Sequence, residues 1–543
     1  MRVLGAHTQL GVWPWLVPLL LYGIHTGAIF NWYVDDAFIS QVYARTLVET
    51  GVFAYSAGDV PHYGISNPLW VGVLAIAHLL GLHPYLFEKA LCIAFGGAAL
   101  AAVVLHTWKL FPENSTRGRA IAMLPGLALA ASWNYCAWAV GGLETLCFAA
   151  LVAFGSLDLA RRLAEGRRDL WKSALLLAPL GLLRPEGLGI VGLSGLATVG
   201  AVALRYPRGE RLVSIAAFAL PPIAVMLAGL GIIYSLTDAL VPSTYYLKAG
   251  HLSGDTASRG LAYAETFLRQ TGALLPGLAL LGILLGTLRA RRFDSLRFTT
   301  ATVAGVVCLG YAVGFIVPVG GDWMLGSRFF VHLYPLLAVL AALAVGQLIC
   351  ASTALPRKLG LFSALALPLA LGVLEIRPSH SGRNDDTGSF LPKIWFEMPQ
   401  DRPSYPAGSW ALVEELAAGC AEDRLLAMTE GGFFAWYTGC RVFDLHGWSR
   451  RSLAMERHRT QRWDSPGFLR QILDFGPDYV LLSGYARGDE LTYRLTIERA
   501  LAKDPEFRSR YKLVATFEGI DEIYRQPRQP KTGAMLAYQL YRR

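Results

Sequence analysis

Long apolar runs recur along the first two thirds of this chain, and they restrict its fold more than any other feature. Of the 543 residues, 54% are hydrophobic and only 16% are charged, which is not the composition of an ordinary soluble domain. Runs of this length match the hydrocarbon thickness of a bilayer and predict a polytopic α-helical membrane protein with about eleven transmembrane helices. The runs fall at 12–30, 84–107, 120–140, 142–162, 171–185, 187–204, 212–236, 267–288, 298–318, 328–350 and 359–375.

The basic residues give this membrane protein an orientation. If the short apolar segment 68–82 is an interfacial helix and not a span, clusters of Arg and Lys fall on every other loop. The positive-inside rule places such clusters, and with them the N-terminus, in the cytoplasm. Because the net charge of +9 lies largely in these loops, it does not indicate a nucleic-acid partner.

The same orientation divides the chain into two parts. Residues 1–376 form the predicted membrane domain, with a first outer loop at 31–83, and residues 377–543 form an extracytoplasmic domain. The second part is polar, and the sequences RLLAM and YVLLS have the pattern of short buried strands between helical stretches. We therefore expect a small α/β domain, in which Cys420 and Cys440 could form a disulfide.

An acid pair, Asp35 and Asp36, follows the first apolar run directly. Acids at a membrane edge are costly and are interpreted as functional, and a carboxylate there can act as a general base. The alternative is that Asp35 caps a helix beginning near Ala37 and Asp36 favours its dipole. The two carboxylates would titrate together, so the base is not assigned, although Asp35 lies nearer the span and is preferred.

Cations and aromatic residues are predicted on the same membrane face as the acid pair. Lys248 follows Tyr245 and Tyr246, a combination that suits a phosphate next to a sugar, or else anchors the chain at the interface. Arg328 could clamp a lipid phosphate or pair with Asp322. The other candidates are Arg184, which could bind phosphate or pair with Glu186; Trp323; Glu144 at the start of a span; His62, Ser66 and Asn67 in the first outer loop; and Asp444 with His446 in the outer domain.

Neither a phosphate-binding glycine loop nor a dinucleotide motif is present in a suitable position. A sugar donor used outside the cytoplasm, where nucleotide sugars are scarce, would therefore arrive on a lipid. A polyprenyl phosphate fits basic and aromatic groups at the membrane face.

Several outer segments together resemble the integral-membrane glycosyltransferases of the GT-C class. They are DDAFIS, HYGISNPLW, GGLET, LLRPEG, STYYLKAG, GGDWMLGSRFF and, near the C-terminus, GGFFAWYTGCRVFDLHGWS. The closest likeness is to the bacterial branch that contains the mycobacterial terminal arabinofuranosyltransferases. Protein O-mannosyltransferases and the lipid A aminoarabinose transferase are more distant. HYGISNPLW departs from the acidic-Gly-Tyr-Thr run of many relatives.

The resemblance implies an inverting transfer in the cell envelope, outside the bacterial inner membrane. A catalytic acid would lie at Asp35 or Asp36, the donor would be a polyprenyl-phosphate sugar such as one carrying arabinofuranose, and the acceptor would be a glycan, lipid or protein. Some members of the class bind a divalent cation near the acids, but no ligand set is evident, so no cofactor is assigned. A transporter or flippase for lipid-linked glycans, or a non-catalytic glycan-binding assembly protein, remains the alternative.

Overall fold

The computed structural model describes residues 10–113, 115–248, 254–288, 295–322, 324, 326–351, 366, 368, 370–372, 403, 407–420, 424–429, 431–487, 490–520 and 535–543. Helices occupy most of the chain up to Ala351, and strands appear only later within the described ranges. This division follows the apolar runs, because a helix satisfies its own backbone polar groups and can therefore lie in hydrocarbon.

Several helices have the length and composition needed to cross a membrane. Five of the described helices qualify, and the number rises to seven if each of two bent pairs is one span. The pairs are Thr116–Ala131 with Trp133–Val140, bent by 60°, and Asp255–Gln270 with Leu274–Leu288, bent by 97°. The five helices are Pro84–Leu110, Gly187–Arg205, Arg208–Thr237, Leu296–Val319 and Tyr334–Ala351.

The other predicted runs do not give a helix that meets the length and composition criterion, and the reason differs from run to run. The first run contains a helix of 16 residues, Trp13–Ala28. The run at 142–162 lies in Thr145–Ala164, whose last turns carry an acidic residue and two arginines. Pro179 separates Trp171–Leu177 from Leu180–Leu183. The run at 359–375 lies mostly outside the described residues.

The first outer loop packs on the helix that follows it. Its helices are Asp35–Thr50 and Pro68–Leu79, the second of which has 12 residues. The buried carboxylate of Glu88 accepts hydrogen bonds from Tyr33, Gln41 and Trp70. The neighbouring Lys89 ammonium donates to three backbone carbonyls, at Phe30, Trp32 and Val140. These bonds hold the loop, and with it the acid pair, on the membrane helices.

The outer domain is built on one mixed sheet. Its strands are β1 (Leu425–Met428), β2 (Arg441–Asp444), β3 (Tyr479–Arg487), β4 (Glu490–Tyr493), β5 (Lys512–Ile520) and β6 (Met535–Arg542). The order is β2-β1-β3-β6-β5, and β4 pairs with β3. β1 is parallel to β2 and β3, whereas β6 is antiparallel to β3 and β5. Helices of this domain are Ala407–Gly419, Phe433–Thr438, Arg451–Thr460, Pro466–Phe475, Thr496–Lys503 and Pro505–Arg510.

A disulfide lies beside this sheet. Cys420 follows helix Ala407–Gly419, and Cys440 directly precedes β2. Their sulfurs are bonded and their Cα atoms lie 5.4 Å apart. The bond joins the helix to the edge strand of the sheet, in a domain that we predict to be extracytoplasmic.

Candidate active site

A cavity of about 420 Å³ lies between the first outer loop, the ends of the membrane helices and the outer domain. Both members of the acid pair line it, together with two arginines and a buried glutamate. All of these are predicted site residues that are distant in sequence. The main polar lining residues are Asp35, Asp36, Ser40, Ser66, Asn67, Glu144, Arg184, Arg328, Thr429, His446, Trp448, Trp463 and Arg494.

The acid pair begins helix Asp35–Thr50, and Asp35 also contacts the outer domain. Its Oδ1 accepts a hydrogen bond from the backbone N–H of Phe433 at 2.7 Å, and its Oδ2 accepts one from Gly432 at 3.1 Å. These donors lie at the N-terminus of helix Phe433–Thr438, where a carboxylate is favoured. Asp35 is therefore a fixed junction between the two domains as well as a wall of the cavity.

Packing reinforces this junction. The ring of Phe38, one turn after Asp35, contacts Phe433, Trp436 and Tyr437. The guanidinium of Arg45 lies 4.6 Å from the centroid of the Trp436 ring and also donates to the Trp436 carbonyl. The helix that carries the acid pair is consequently held by the outer domain along two turns.

Glu144 is the centre of the charged cluster on the other side of the cavity. Its Oε1 accepts from Arg184 at 2.5 Å and from Arg328 at 2.8 Å, while its Oε2 accepts from Asn67 at 2.8 Å. Arg184 also pairs with Glu186, as the sequence alternative allowed. A carboxylate this deeply buried requires such partners, because an isolated buried charge is very costly. Glu144 thus positions both guanidiniums.

The glutamate cluster and the acid pair are connected through the first outer loop. The Asn67 amide that donates to Glu144 also donates to the Ser40 hydroxyl at 3.0 Å. Ser40 lies one helical turn after Asp36, on the same helix. The glutamate cluster is therefore hydrogen-bonded to the helix that carries the acid pair.

The segment that contains Lys248 lines the cavity, but the residues that do so are not the ones that the sequence predicts. Thr244 and Leu247 line the cavity. Tyr245 is 57% exposed, and the Tyr246 ring packs at 5.8 Å from the ring of His458. Tyr245 and Tyr246 therefore do not line this cavity, and their role in substrate binding stays a prediction. Lys248 ends helix Ser243–Lys248, but its side chain lies outside the described residues.

Other predicted residues are distributed around the cavity. Asp322 pairs with Arg328 at 3.8 Å and does not line the cavity, so the pairing alternative for Arg328 is present in the structure. Trp323 lies outside the described residues. His446 lines the cavity, while Asp444 is buried behind it and accepts from the backbone N–H of His446 and Trp448. Burial raises the pKa of Asp444 to about 7.

His62 faces away from this cavity and joins two parts of the protein. Its Nε2–H donates to the backbone carbonyl of Trp448 at 3.0 Å. Burial is the main cause that lowers the pKa of His62 to about 4, and the positive charge of Arg450 contributes to this lowering. The imidazole is neutral at neutral pH, and it links the first outer loop to the outer domain.

Sequence reasoning missed several lining residues, among them Thr429, Trp448, Trp463 and Arg494. The available signal was the GGFFAWYTGCRVFDLHGWS segment, which contains Trp448 and the two N–H donors to Asp35. For a metal, the described part of the chain contains no group of three or more His, Cys, Asp or Glu side chains arranged to hold an ion. We therefore derive no step that uses a divalent cation.

Comparisons with solved structures show which fold this chain has. No protein family and no curated protein matches the sequence. The structure of ArnT from Cupriavidus metallidurans bound to undecaprenyl phosphate is similar, with a TM-score of 0.58 and 13% identity over 98% of each chain. The apo structure of ArnT gives a TM-score of 0.53 and 14% identity over 79% of this chain and 84% of ArnT.

A mycobacterial arabinofuranosyltransferase, AftD, is also similar, with 15% identity over 97% of this chain and 41% of AftD. Its TM-score of 0.47 is too low to support an argument. At these identities a likeness establishes the fold alone. The chain therefore has a mostly helical fold that it shares with the two ArnT structures.

The junction at Asp35 predicts the effect of a methyl group at Gly432. A Cβ there would lie 2.0 Å from the backbone oxygen of Asp35 and 2.5 Å from its Oδ2, so the two domains must separate locally. We expect Gly432→Ala to destabilise the protein by about 1–3 kcal/mol, measured as a lowered Tm in nanodiscs. Gly209→Ala, where a Cβ meets nothing within 4 Å, is the control. Equal Tm values for the two variants would contradict the junction.

The His62 contact predicts a loss of stability in mild acid. Because the pKa of His62 is about 4 in the folded protein and near 6.5 when unfolded, its contribution is present above pH 6.5 and is lost as the pH falls towards 4. We expect the wild type to lose about 1 kcal/mol more than His62→Gln between pH 7 and pH 5. Thermal unfolding at both pH values measures the difference, and parallel losses would show that His62 does not titrate in this way.

Proposed function

We propose that this protein is a membrane glycosyltransferase that moves a sugar from a polyprenyl-phosphate donor to an extracytoplasmic glycan, lipid or protein. The observation that carries the proposal is one cavity lined by two adjacent carboxylates and two guanidiniums, at the ends of apolar helices. The fold it shares with ArnT, whose structure contains undecaprenyl phosphate, supports a lipid-linked donor. We place the cavity outside the bacterial inner membrane, as the alternation of basic loops predicts.

In the proposed reaction the acid pair supplies the general base. A carboxylate accepts the proton of the acceptor hydroxyl as that oxygen attacks the anomeric carbon from the face opposite the phosphate. The bond between the anomeric carbon and the phosphate oxygen breaks, and the configuration inverts. Asp35 is the preferred base, because it lies nearer the first apolar run and two backbone N–H groups fix the orientation of its carboxylate.

The leaving phosphate is stabilised by cations at the other side of the cavity. It departs already ionised, so it needs positive charge more than a proton donor. Arg184 and Arg328 line the cavity with guanidiniums held in fixed positions by Glu144. Lys248 and the cavity-lining Arg494 are the further cations that we assign to this role. Arabinofuranose is the first sugar to test, because the outer-loop motifs resemble that branch.

The acid pair can be tested by Asp35→Asn and Asp36→Asn in protein reconstituted in nanodiscs. A panel of polyprenyl-phosphate pentoses and hexoses, with decaprenyl-phosphate arabinofuranose included, identifies the donor that the wild type uses. We expect the variant that lacks the base to lose about 10²–10⁴-fold in kcat. Asp255→Asn, at an exposed helix start, is the matched control. Full transfer by both variants, or transport of the donor across the bilayer without transfer, would refute the assignment.

The phosphate site predicts a separate effect on donor binding. Arg184→Lys and Arg328→Lys keep the charge but lose the planar fork that holds Glu144 and a phosphate together. We expect the KM for the donor to rise about tenfold, while the KM for the acceptor stays close to that of the wild type. Arg269→Lys, an exposed pair with Glu265, is the control. An unchanged donor KM in both site variants would show that the phosphate binds elsewhere.

A further inference from the structure

A second cavity, of about 270 Å³, lies beside the candidate active site. It is formed by the first outer loop, by the segment after helix Arg211–Thr237 and by the start of helix Arg451–Thr460. It is smaller than a typical pocket for a drug-sized ligand and suits a single ring. None of its residues belongs to the acid pair or to the Glu144 cluster.

Only a thin wall separates the two cavities. His62 and Tyr63 line the second cavity, and the next residue, Gly64, lines the first. In the same way, Ser243 lines the second cavity and Thr244 lines the first. Ser449 likewise lines the second cavity, and Trp448 lines the first. The wall is tied together by the bond from His62 to the Trp448 carbonyl and by the bond from the Ser243 N–H to the Tyr63 carbonyl, at 2.8 Å. A ligand that extends over the rim could occupy both cavities.

The second cavity is lined by polar side chains. Within the described part of the chain, the buried Oγ of Ser449 and Nε of Arg450 have no hydrogen-bond partner, and both residues line the cavity. A buried polar group without a partner is costly. A ligand hydroxyl would satisfy these two atoms once their side chains turn towards the cavity. Ser452 and Gln471 add further hydrogen-bonding groups.

The charge and aromatic character of the cavity define the kind of ligand. Arg450 is paired with the buried Asp59 at 2.9 Å, so its positive charge is largely compensated. The same guanidinium lies 3.9 Å from the centroid of the Phe475 ring, and Phe443 also lines the cavity. Hydroxyl-binding groups beside apolar rings suit a neutral sugar, which has polar edges and an apolar face.

We infer that this second cavity is an acceptor subsite, which binds a neutral sugar residue next to the residue that receives the transferred sugar. The inference rests on the proposed function, because it assumes that the acceptor hydroxyl reaches the acid pair in the first cavity. It also commits the acceptor to a glycan of at least two residues.

Blocking the cavity tests the subsite. Ser452 is an exposed lining residue, so Ser452→Trp fills the mouth without altering the buried pairs. Acceptors are the p-nitrophenyl mono- and disaccharides of the series that the wild type glycosylates. We expect the KM for the disaccharide to rise about tenfold, with the monosaccharide KM and the donor KM within twofold of wild type. Met455→Trp, exposed on the same helix and outside the cavity, is the control. Equal effects on both acceptors, or no effect, would overturn the inference.

A binding measurement separates this inference from the proposed function. In Ser452→Cys, the rate of labelling by a fluorescent maleimide reports access to the cavity. We expect p-nitrophenyl disaccharides to slow the labelling several-fold and to leave the labelling of Met455→Cys unchanged. If the wild type transfers sugar but no disaccharide protects Ser452→Cys, the subsite is wrong and the function stands. If protection occurs without transfer from any lipid-linked donor, the second cavity binds a sugar, but the proposed function and the acceptor role that rests on it both fail.

Discussion

The burial of Glu144 is the constraint on which the geometry of the cavity depends. A carboxylate in such an environment is stable only with charged partners, and removing one partner of a buried pair typically costs about 3–5 kcal/mol. Its partners come from three separate segments: Asn67 before an interfacial helix, Arg184 at the end of a short helix and Arg328 at the start of another. Satisfying this one side chain therefore fixes the relative positions of the first outer loop and two membrane helices. The two guanidiniums that line the cavity are held in place as a consequence.

The outer domain completes the site from the other side. Asp35 connects the domains because the N-terminus of helix Phe433–Thr438 offers it two N–H donors, and the Phe38 ring packs against the same helix. Trp448 and His446 then close the cavity above the acid pair. The outer domain consequently shapes both cavities, since the chain passes from one to the other between Trp448 and Ser449. Acceptor recognition and the orientation of the proposed base are in this way properties of one rigid junction.

The chemical types in the site and two local pairings, Arg184 with Glu186 and Arg328 with Asp322, could be predicted from the sequence, but the long-range partners could not. Acids and single cations at the ends of apolar runs are energetically costly and are therefore interpreted as functional. This made four residues of the site identifiable: Asp35, Glu144, Arg184 and Arg328. The bond from Gly432 to Asp35 joins residues 397 positions apart, and no periodicity reports such a contact. Helical phase explains why Tyr245 and Tyr246 do not line the cavity, while their role in substrate binding stays a prediction. Thr244 and Leu247 are three residues apart and share a face, so the residues between them point elsewhere. The span count exceeded the qualifying helices because hydropathy alone does not register where a helix ends. Trp13–Ala28 and Trp171–Leu183 are shorter than a span, and Thr145–Ala164 carries charged residues in its last turns.

The charges of the site limit where a donor phosphate can bind. Arg184 and Arg328 carry two positive charges, whereas Glu144, Glu186 and Asp322 carry three negative ones. A phosphate that added its charge to this cluster alone would be repelled, because buried charges are poorly screened. In the proposed reaction, the donor phosphate therefore needs a further cation from the cavity wall beside these two buried guanidiniums. Arg494 is on that wall, and Lys248 ends the helix whose residues Thr244 and Leu247 line it. This balance of charge favours a donor phosphate that lies between the Glu144 cluster and the outer domain, with the sugar of the donor directed towards the acid pair.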